Sequence, residues 1–398
     1  MRQKDIADFV GLLKSAVTEK PYQGSDIRWT EMIRLSEFHR VINLILEAAV
    51  MMPEEQQPTR EVLARLKENS IATVMQDANQ ISEVNSLISE FEAKKISAIM
   101  LKGWIMKELY PRTDLRSRAD TDIFIRTADE EKIHKIILSH GFKTVSYGGK
   151  KDNVYSKEPF QTLEMHKNLF MYEDNWNEVI NNKSGRQYIW NRKEKLEGCE
   201  YVSQMDREFF YVYMVAHMAK HLKDDGGIGV RAFLDLWIYR NAYYNNLNMD
   251  IIRDDFESLG LTTFAEKAYT LACAWFDGKK INYPDASYAK FGEYIIGCGA
   301  YGNSDNFVMN NEAMRNEKKP GTFGYVIKRA FPPKSSMEKR YPKLKKYPVL
   351  LPICWAKRMW YSGTKRRDQV KGEIDSAKNM DYKRINEIHE LYKQWGLL

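Results

Sequence analysis

The hydrophobic pattern of the chain changes near Ile96, and this change constrains the fold more than any other feature. Residues 5–95 repeat apolar positions at helical spacing, as in DIADFVGLLKSAV, and predict helices. From Ile96 the apolar segments become short, and the predicted strands are ISAIMLKG, ADTDIFI, FKTVSY, NVYSK and FQTLEMHKNLF. Helical spacing returns at Asp206. The sequence therefore predicts an α+β protein, in which a mixed β-sheet core with flanking helices lies between N-terminal and C-terminal helical regions.

Four regions follow from these changes of pattern. We expect an N-terminal helical region at 1–95, an α/β core at 96–200, a helical domain that completes a cleft at 201–300, and a loop-rich basic segment with a C-terminal helix at 301–398. The last part of the chain, 366–396, is rich in charge and predicts an exposed helix. A chain of 398 residues is long enough for two or three domains with their own cores.

The cysteines and the apolar segments exclude several classes of protein. The four cysteines stand far apart and form no CxxC pair, which argues against a zinc ribbon and a disulfide framework and fits a reduced cytoplasmic protein. No stretch approaches the ~20 apolar residues that cross a bilayer, and the N-terminal segment lacks the apolar core of a signal peptide. We expect a cytoplasmic protein, with peripheral attachment at the inner membrane face left open.

The positive charge of the chain is concentrated in one late segment. Residues 318–371 contain 16 Lys or Arg against two acids, a net charge of +14, whereas the rest of the chain carries −7. Tyr, Trp, Phe and Leu are interleaved with the basic residues. Three interpretations stay open: apolar packing with solvated Lys and Arg, contact with an anionic membrane surface, and nucleic-acid binding, which the acidic remainder of the chain disfavours.

The segment LRSRADTDIFI places two carboxylates at the entrance of a predicted strand. Side chains alternate along a strand, so Asp120 and Asp122 share one face while Ile123 and Ile125 point to the other. Two like charges at this spacing repel each other unless a cation lies between them. Mg²⁺ commonly binds one or two carboxylates together with substrate phosphates. The pattern therefore indicates a metal site, and the alternative is a strand edge with two solvated acids.

Two further features of the same region favour the metal site. Glu164 in TLEMHKNL alternates with Leu163 and Met165, so it faces away from core residues. Lys102 and Gly103 open a predicted helix directly after the first strand, and a helix N-terminus there favours anions. These residues predict a third carboxylate and a phosphate-binding turn close to the first two acids.

Taken together, these stretches resemble the DNA polymerase β-like nucleotidyltransferase superfamily. LKG with a later LYP, LRSRADTDIFI, LEMHKNLF, and HMAKHL followed by VRAFLDL resemble more closely a group of uncharacterised bacterial nucleotidyltransferase-like proteins. The resemblance covers residues 96–240 well and 325–361 loosely. It implies a metal-dependent nucleotidyltransferase that moves an NMP group from an NTP donor, with ATP favoured, to a hydroxyl acceptor on a small molecule, a glycan or a protein.

The resemblance also implies roles for the matching residues. The catalytic carboxylates and metal ligands would be Asp120, Asp122 and Glu164, and the cofactor would be Mg²⁺ as two ions, with Mn²⁺ as an alternative. The nucleotide-binding residues would be Lys102, Gly103, Arg116 and Arg118. The acceptor side would contain His166, His221 and Asp235.

Two alternatives to these roles stay open. Trp104 follows Gly103 where the superfamily usually has a serine that bonds the terminal phosphates, so a catalytically weak nucleotide-binding or interaction module of the same fold is the second interpretation. In HMAKH, His217 and His221 share a helix face at a spacing that can bind zinc with a third ligand. The segment lacks the glutamate of HExxH, which argues against a metalloprotease.

Overall fold

The structure, a computed structural model, follows the predicted change from helices to strands and back. It describes residues 2–117, 120–149, 152–159, 161–169, 176, 188–300, 302, 309–310, 312–314, 327, 330–341, 343–365, 371 and 381–398. The helices are α1 Gln3–Thr18, α2 Trp29–Phe38, α3 Ile42–Met51, α4 Arg60–Ala93, α5 Lys102–Lys107, α6 Glu130–Ser139, α7 Tyr188–Asn191, α8 Arg207–Asp224, α9 Val230–Ala242, α10 Met249–Leu259, α11 Thr262–Phe276, α12 Ala286–Cys298, α13 Lys334–Arg340, α14 Lys343–Lys346, α15 Leu351–Lys365 and α16 Tyr382–Gln394. The strands are β1 Ala98–Met100, β2 Thr121–Ile125, β3 Lys143–Ser146, β4 Asp152–Lys157, β5 Gln161–His166, β6 Lys193–Lys195 and β7 Val202–Met205.

The strands form one mixed sheet in the order β3-β4-β5-β2-β1-β7-β6. Strands β2 and β5 run parallel, as do β1 and β7, and the other neighbours are antiparallel. The predicted fold class, a mixed sheet with flanking helices and helical regions at both ends of the chain, is confirmed.

One face of the sheet is covered by α4 and α6. The hydrophobic core on this face contains Leu87 and Phe91 from α4, Ile136 from α6, and Ile123 and Met165 from the central strands. Because side chains alternate along a strand, the residues between these apolar positions point to the opposite face. The burial of one face therefore decides which side of the sheet presents the carboxylates.

The ends of α4 and α6 follow the local rules that their sequences predict. The Thr59 hydroxyl caps α4 by accepting a hydrogen bond from the Val62 backbone amide at 3.4 Å. Helix α6 ends at Ser139 with His140 as its C-cap, and Gly141 follows with φ of +82°, a left-handed conformation that glycine adopts without strain. These two ends fix the lengths of the helices that cover the sheet.

Strands β6 and β7 were not predicted, although β7 lies beside β1 within the sheet. Their three and four residues are too few for a recognisable alternation. The Glu92 carboxylate at the end of α4 accepts hydrogen bonds from the backbone amides of Tyr201 (2.8 Å) and Val202 (2.6 Å). A contact between residues more than 100 positions apart thus helps to place β7, and a local pattern cannot reveal it.

The chain divides into two compact units, Met1–Met218 with Gly229–Ala300, and Ala219–Ile228 with Tyr301–Leu398. The first unit contains the sheet. In the second, α16 buries Ile388 and Tyr392, and the Tyr392 hydroxyl donates to the Leu222 carbonyl oxygen at 2.5 Å. The expectation of an exposed helix at 366–396 is therefore wrong for the described part of that range, since one face is buried. The four predicted regions stay predictions.

No helix in the described ranges of the chain is both long enough and apolar enough to cross a membrane.

Leu87→Ala tests the packing of α4 against the sheet. We expect it to lower the free energy of unfolding by about 3 kcal/mol, because the buried side chain leaves a cavity. Ile71→Ala is the matched control: it lies on the same helix with an exposed side chain and should change stability by less than about 0.5 kcal/mol. Urea unfolding followed by circular dichroism measures both, and equal effects would contradict this packing.

Candidate functional site

The register of β2 and β5 brings two predicted carboxylates side by side. Asp122 on β2 is the direct neighbour of Glu164 on β5. Neighbouring residues in register on parallel strands point to the same face of a sheet. Asp120 is the residue directly before β2, two positions before Asp122, so the alternation of side chains directs Asp120 to this face as well. The three carboxylates that the sequence predicts are thus assembled on the face opposite the core formed with α4 and α6.

His166 joins this group of carboxylates directly. It follows Glu164 by two positions on β5, and its Nε2 lies 2.9 Å from Asp122 Oδ1 and 3.5 Å from Glu164 Oε2. One ligand atom from each of these three residues lies within 4.8 Å of the others. The sequence placed His166 on the acceptor side, whereas the geometry makes it a candidate metal ligand. The alternation in LEMH was the signal that pointed to it.

The carboxylates of this cluster repel one another, and the pKa values of nearby groups reflect this repulsion. Burial, followed by the charges of Asp122 and Glu164, raises the pKa of Asp120 to about 7, and the Arg231 charge opposes this shift. Burial and the same three carboxylates also raise the pKa of Tyr213, on α8, well above its usual value. A divalent cation would relieve this repulsion. The donor set of carboxylate oxygens and one imidazole nitrogen is chemically suited to such an ion.

The LKG turn lies beside the carboxylates because β1 pairs with β2. The Leu101 backbone amide donates to the Asp122 carbonyl oxygen at 3.1 Å, which continues the antiparallel pairing beyond β1. Lys102 and Gly103 follow at the start of α5. The predicted phosphate-binding turn and the predicted metal ligands are thus joined through one backbone hydrogen bond.

A buried ion-pair network supports this turn from α9. Asp235 is 1% exposed and accepts hydrogen bonds from Arg116 Nε (2.9 Å) and Nη2 (2.8 Å) and from the Tyr110 hydroxyl (2.8 Å). Arg116 Nη1 donates to the Gly103 carbonyl oxygen at 3.2 Å. The guanidinium therefore connects α9 to the start of α5, and a direct contact of Arg116 with phosphate stays a prediction.

Lys102 is the second cation of this network. Its Nζ lies 3.8 Å from Asp235 Oδ2. Burial lowers the pKa of Lys102 to about 8, although the charge of Asp235 opposes the shift. Burial alone would raise the pKa of Asp235, but the charge and hydrogen bonds of Arg116 outweigh it and lower that pKa to about 2. Asp235 thus contacts two of the three predicted phosphate-binding cations, and its predicted contact with an acceptor stays a prediction.

The remaining predicted residues are Arg118 and His221. Arg118 falls outside the described ranges. His221 belongs to the second unit, where its Nδ1 lies 2.7 Å from Asp225 Oδ2. Among the described side chains, the group of three suitable metal ligands is formed by the β2 and β5 residues and contains neither His217 nor His221. The zinc interpretation of HMAKH therefore gains no support, and the acceptor role of His221 stays a prediction.

Sequence reasoning missed three residues that shape the site. The Tyr110 hydroxyl donates a hydrogen bond to Asp235, and Tyr213 has a buried hydroxyl whose pKa is raised by burial and by the charges of the carboxylates. Arg231 donates to the Ser117 carbonyl oxygen at 2.6 Å, which ties the segment before Asp120 to α9. Only Tyr110 carried a sequence signal, as the centre of LYP; the other two stand in long apolar helices that resemble core.

Comparison with protein families identifies one family. A family model described as an uncharacterised nucleotidyltransferase matches residues 25–277, which is more than half of the chain. The match contains β1, β2, β5, the LKG turn and α9, and it confirms the resemblance to nucleotidyltransferase-like proteins over residues 96–240. The looser resemblance at 325–361 lies outside the match and stays a prediction. Comparison with curated proteins gave no match, and comparison with solved structures gave none either.

Asp235→Asn tests the buried network. We expect a loss of about 3–5 kcal/mol in the free energy of unfolding at pH 7, because Arg116 keeps its charge without its partner. The folded-state pKa of Asp235 is about 2, against about 3.9 in an unfolded chain. Its contribution is therefore complete above about pH 4 and is lost as the pH falls towards 2, so the difference between wild type and variant should shrink in that window.

The control for this change is Asp114→Asn, which removes an acid from the exposed pair with Arg112. Exposed pairs contribute about 0–1 kcal/mol, so this variant should stay close to wild type. Urea unfolding at pH 7, 5 and 3 measures all three proteins. The proposed network would be contradicted if the free energy of unfolding of wild type exceeded that of Asp235→Asn only slightly at pH 7, or if this difference grew on acidification.

Proposed function

The chain belongs to the family of uncharacterised nucleotidyltransferases, and from this premise we propose that it transfers an NMP group from an NTP to a hydroxyl acceptor with the help of a divalent metal. The register of β2 and β5, which sets Asp122 beside Glu164 near the LKG turn, is the observation that carries the proposal. Acids on one sheet face next to a turn that carries a lysine supply what this chemistry needs: a metal site beside a phosphate site.

The metal ligands of the proposal are Asp120, Asp122 and Glu164, with His166 as an additional nitrogen ligand. Mg²⁺, as two ions, is the first candidate, and Mn²⁺ is the alternative, which an imidazole ligand would tolerate well. When bound, the metal would neutralise the phosphate oxygens and lower the barrier for displacement at phosphorus. The repulsion that raises the pKa of Asp120 supports cation binding at this place.

The protein residues would orient the donor and move one proton. The acceptor hydroxyl would attack the α-phosphorus, a new phosphorus–oxygen bond would form, and the bond from this phosphorus to the β-phosphate oxygen would break and release pyrophosphate. Glu164 would accept the hydroxyl proton. Lys102 would balance charge on the phosphates, while Arg116 and Asp235 would hold the turn in place.

ATP is the first donor to test, and the acceptor is a hydroxyl on a small molecule, a glycan or a protein. Of the three predicted acceptor-side residues, His166 becomes a proposed metal ligand, and His221 and Asp235 have different roles in the proposal. Asp235 would act by positioning the cations with which it pairs, because its own carboxylate is buried. His221 carries an accessible imidazole next to Asp225, and its role depends on the identity of the acceptor.

One observation favours the second candidate, a catalytically weak nucleotide-binding or interaction module. Trp104 stands where a serine would bond the terminal phosphates, and its side chain packs against the hydrophobic core that contains Phe91 and Met100. An indole in this place offers no hydroxyl to a phosphate group. The two candidates share a nucleotide site and differ in turnover.

Calorimetric titration with each of the four NTPs, with and without Mg²⁺, tests the nucleotide site. We expect Mg²⁺-dependent binding of at least one NTP. The double change Asp120→Asn/Asp122→Asn should weaken this binding by about tenfold or more, because the ligands that hold the cation lose their charge. Asp26→Asn/Asp250→Asn is the control, since it removes two exposed carboxylates and the same net charge. Absence of binding for every NTP, or equal binding by both double variants, would overturn the proposal.

Glu164→Gln separates turnover from binding. We expect it to weaken binding of the preferred NTP less than the change at Asp120 and Asp122 does, because both of those ligands keep their charge, and to release pyrophosphate about a hundredfold more slowly, because the amide accepts no proton. Glu131→Gln, on the exposed side of α6, should keep the wild-type rate. A coupled assay of pyrophosphate release, with a panel of hydroxyl compounds, measures the rates. An NTP that binds to wild type without any release would favour the module.

A further inference from the structure

Helix α15 has an inner face that packs within the second unit. The Trp355 indole Nε1 donates to the Pro332 carbonyl oxygen at 3.0 Å, and its ring meets Phe331 edge-on at 5.3 Å. Arg358 Nη1 reaches the Ala330 carbonyl oxygen at 3.5 Å. These contacts fix the rotation of α15 about its axis. The packing of the inner face therefore directs the residues on the opposite side of the helix towards solvent.

The outer side of this segment carries large apolar side chains in contact with water. Val349, in the turn before α15, is 80% exposed, Ile353 is 65% exposed and Trp360 is 72% exposed. Ile353 and Trp360 are seven residues apart, which is close to two helical turns, so they lie on the same face. We call these three residues the outer stripe. Trp355 on the inner face is partly buried, whereas Trp360 on the outer stripe is largely exposed, and this exposure of large apolar side chains marks the stripe as a docking surface.

Basic side chains border the outer stripe. Lys343 and Lys346 lie on α14, directly before the turn with Val349, and Lys357 lies between Ile353 and Trp360; all three are exposed. The surrounding segment 318–371 carries 16 Lys or Arg and two acids. An exposed apolar stripe with Trp and Ile, flanked by lysines, matches the surface chemistry of an anionic lipid headgroup layer above acyl chains.

We propose that the outer stripe docks this chain on an anionic membrane surface, with Val349, Ile353 and Trp360 inserted between headgroups and the flanking lysines on lipid phosphates. The charge of the segment disfavours a second copy of the same surface, because two segments of +14 would repel each other. The aliphatic members disfavour nucleic acid, whose binding surfaces use charged and polar groups with aromatic rings. This inference does not depend on the proposed nucleotidyl transfer.

Sedimentation of the full chain with lipid vesicles tests the proposal. Vesicles of phosphatidylcholine with phosphatidylglycerol should bind the protein, those of phosphatidylcholine alone should bind it weakly, and added salt should reduce binding. Ile353→Ser/Trp360→Ser should reduce the partition coefficient about tenfold or more, because two apolar side chains no longer leave water. Ile71→Ser/Met75→Ser is the matched control, with side chains exposed to 59% and 62% on α4, and should bind as wild type.

A second pair of variants tests the charge. Lys343→Glu/Lys346→Glu should weaken binding to anionic vesicles, whereas Lys67→Glu/Lys135→Glu, with the same change in net charge on exposed helix positions, should weaken it less. Circular dichroism shows that each variant is folded. The proposal is overturned if the folded wild type does not bind anionic vesicles, or if Ile353→Ser/Trp360→Ser binds them as well as wild type does. Light scattering that shows a dimer abolished by the stripe variant, or competition by polynucleotides at that stripe, would overturn it as well.

Discussion

Repulsion between carboxylates held on one face of the sheet is the constraint on which the rest of the site depends. Backbone hydrogen bonds between β2 and β5 fix Asp122 beside Glu164, so neither acid can move away without breaking the sheet. The hydrophobic core on the opposite face sets the rotation of both strands and prevents a change of register, because a shift by one residue would bury the acids and expose Ile123 and Met165. The core therefore holds the charges together.

The acids in and beside the site have two different electrostatic environments. Beside the carboxylates, His166 Nε2 lies 2.9 Å from Asp122 Oδ1, and the Arg231 charge opposes but does not outweigh the rise in the pKa of Asp120. One layer away, Asp235 is paired so completely with Arg116 that its pKa falls to about 2. The contrast is informative, because the pKa of Asp235 is lowered by its partners whereas the pKa of Asp120 is raised by burial and by its neighbours Asp122 and Glu164. Groups with pKa values perturbed in this way are common at functional sites.

The sequence predicted those parts of the molecule whose cause is local. The alternation in ADTDIFI and TLEMH predicted the face of each acid, and Thr59 and Gly141 predicted helix ends. It did not predict β7, since that short strand depends on Glu92 and on pairing with β1. The sequence also assigned separate roles to Arg116 and Asp235. The two residues are 119 positions apart, and their bidentate ion pair forms only in the folded chain, so no local pattern predicts it.

Stability and affinity are linked at this site through the same repulsion. A group that binds the folded chain and not the unfolded chain stabilises the fold by its own binding free energy. Charges that repel in the ligand-free fold lower its stability, and a cation that neutralises them restores what the repulsion removes. A cation bound at the carboxylates of β2 and β5 would therefore raise the free energy of unfolding, and their mutual repulsion would lower it when no cation is bound. The network of Asp235 lies beside the site and contains its own cations, Arg116 and Lys102, and through Arg116 it holds the LKG turn in place independently of the carboxylates on the sheet.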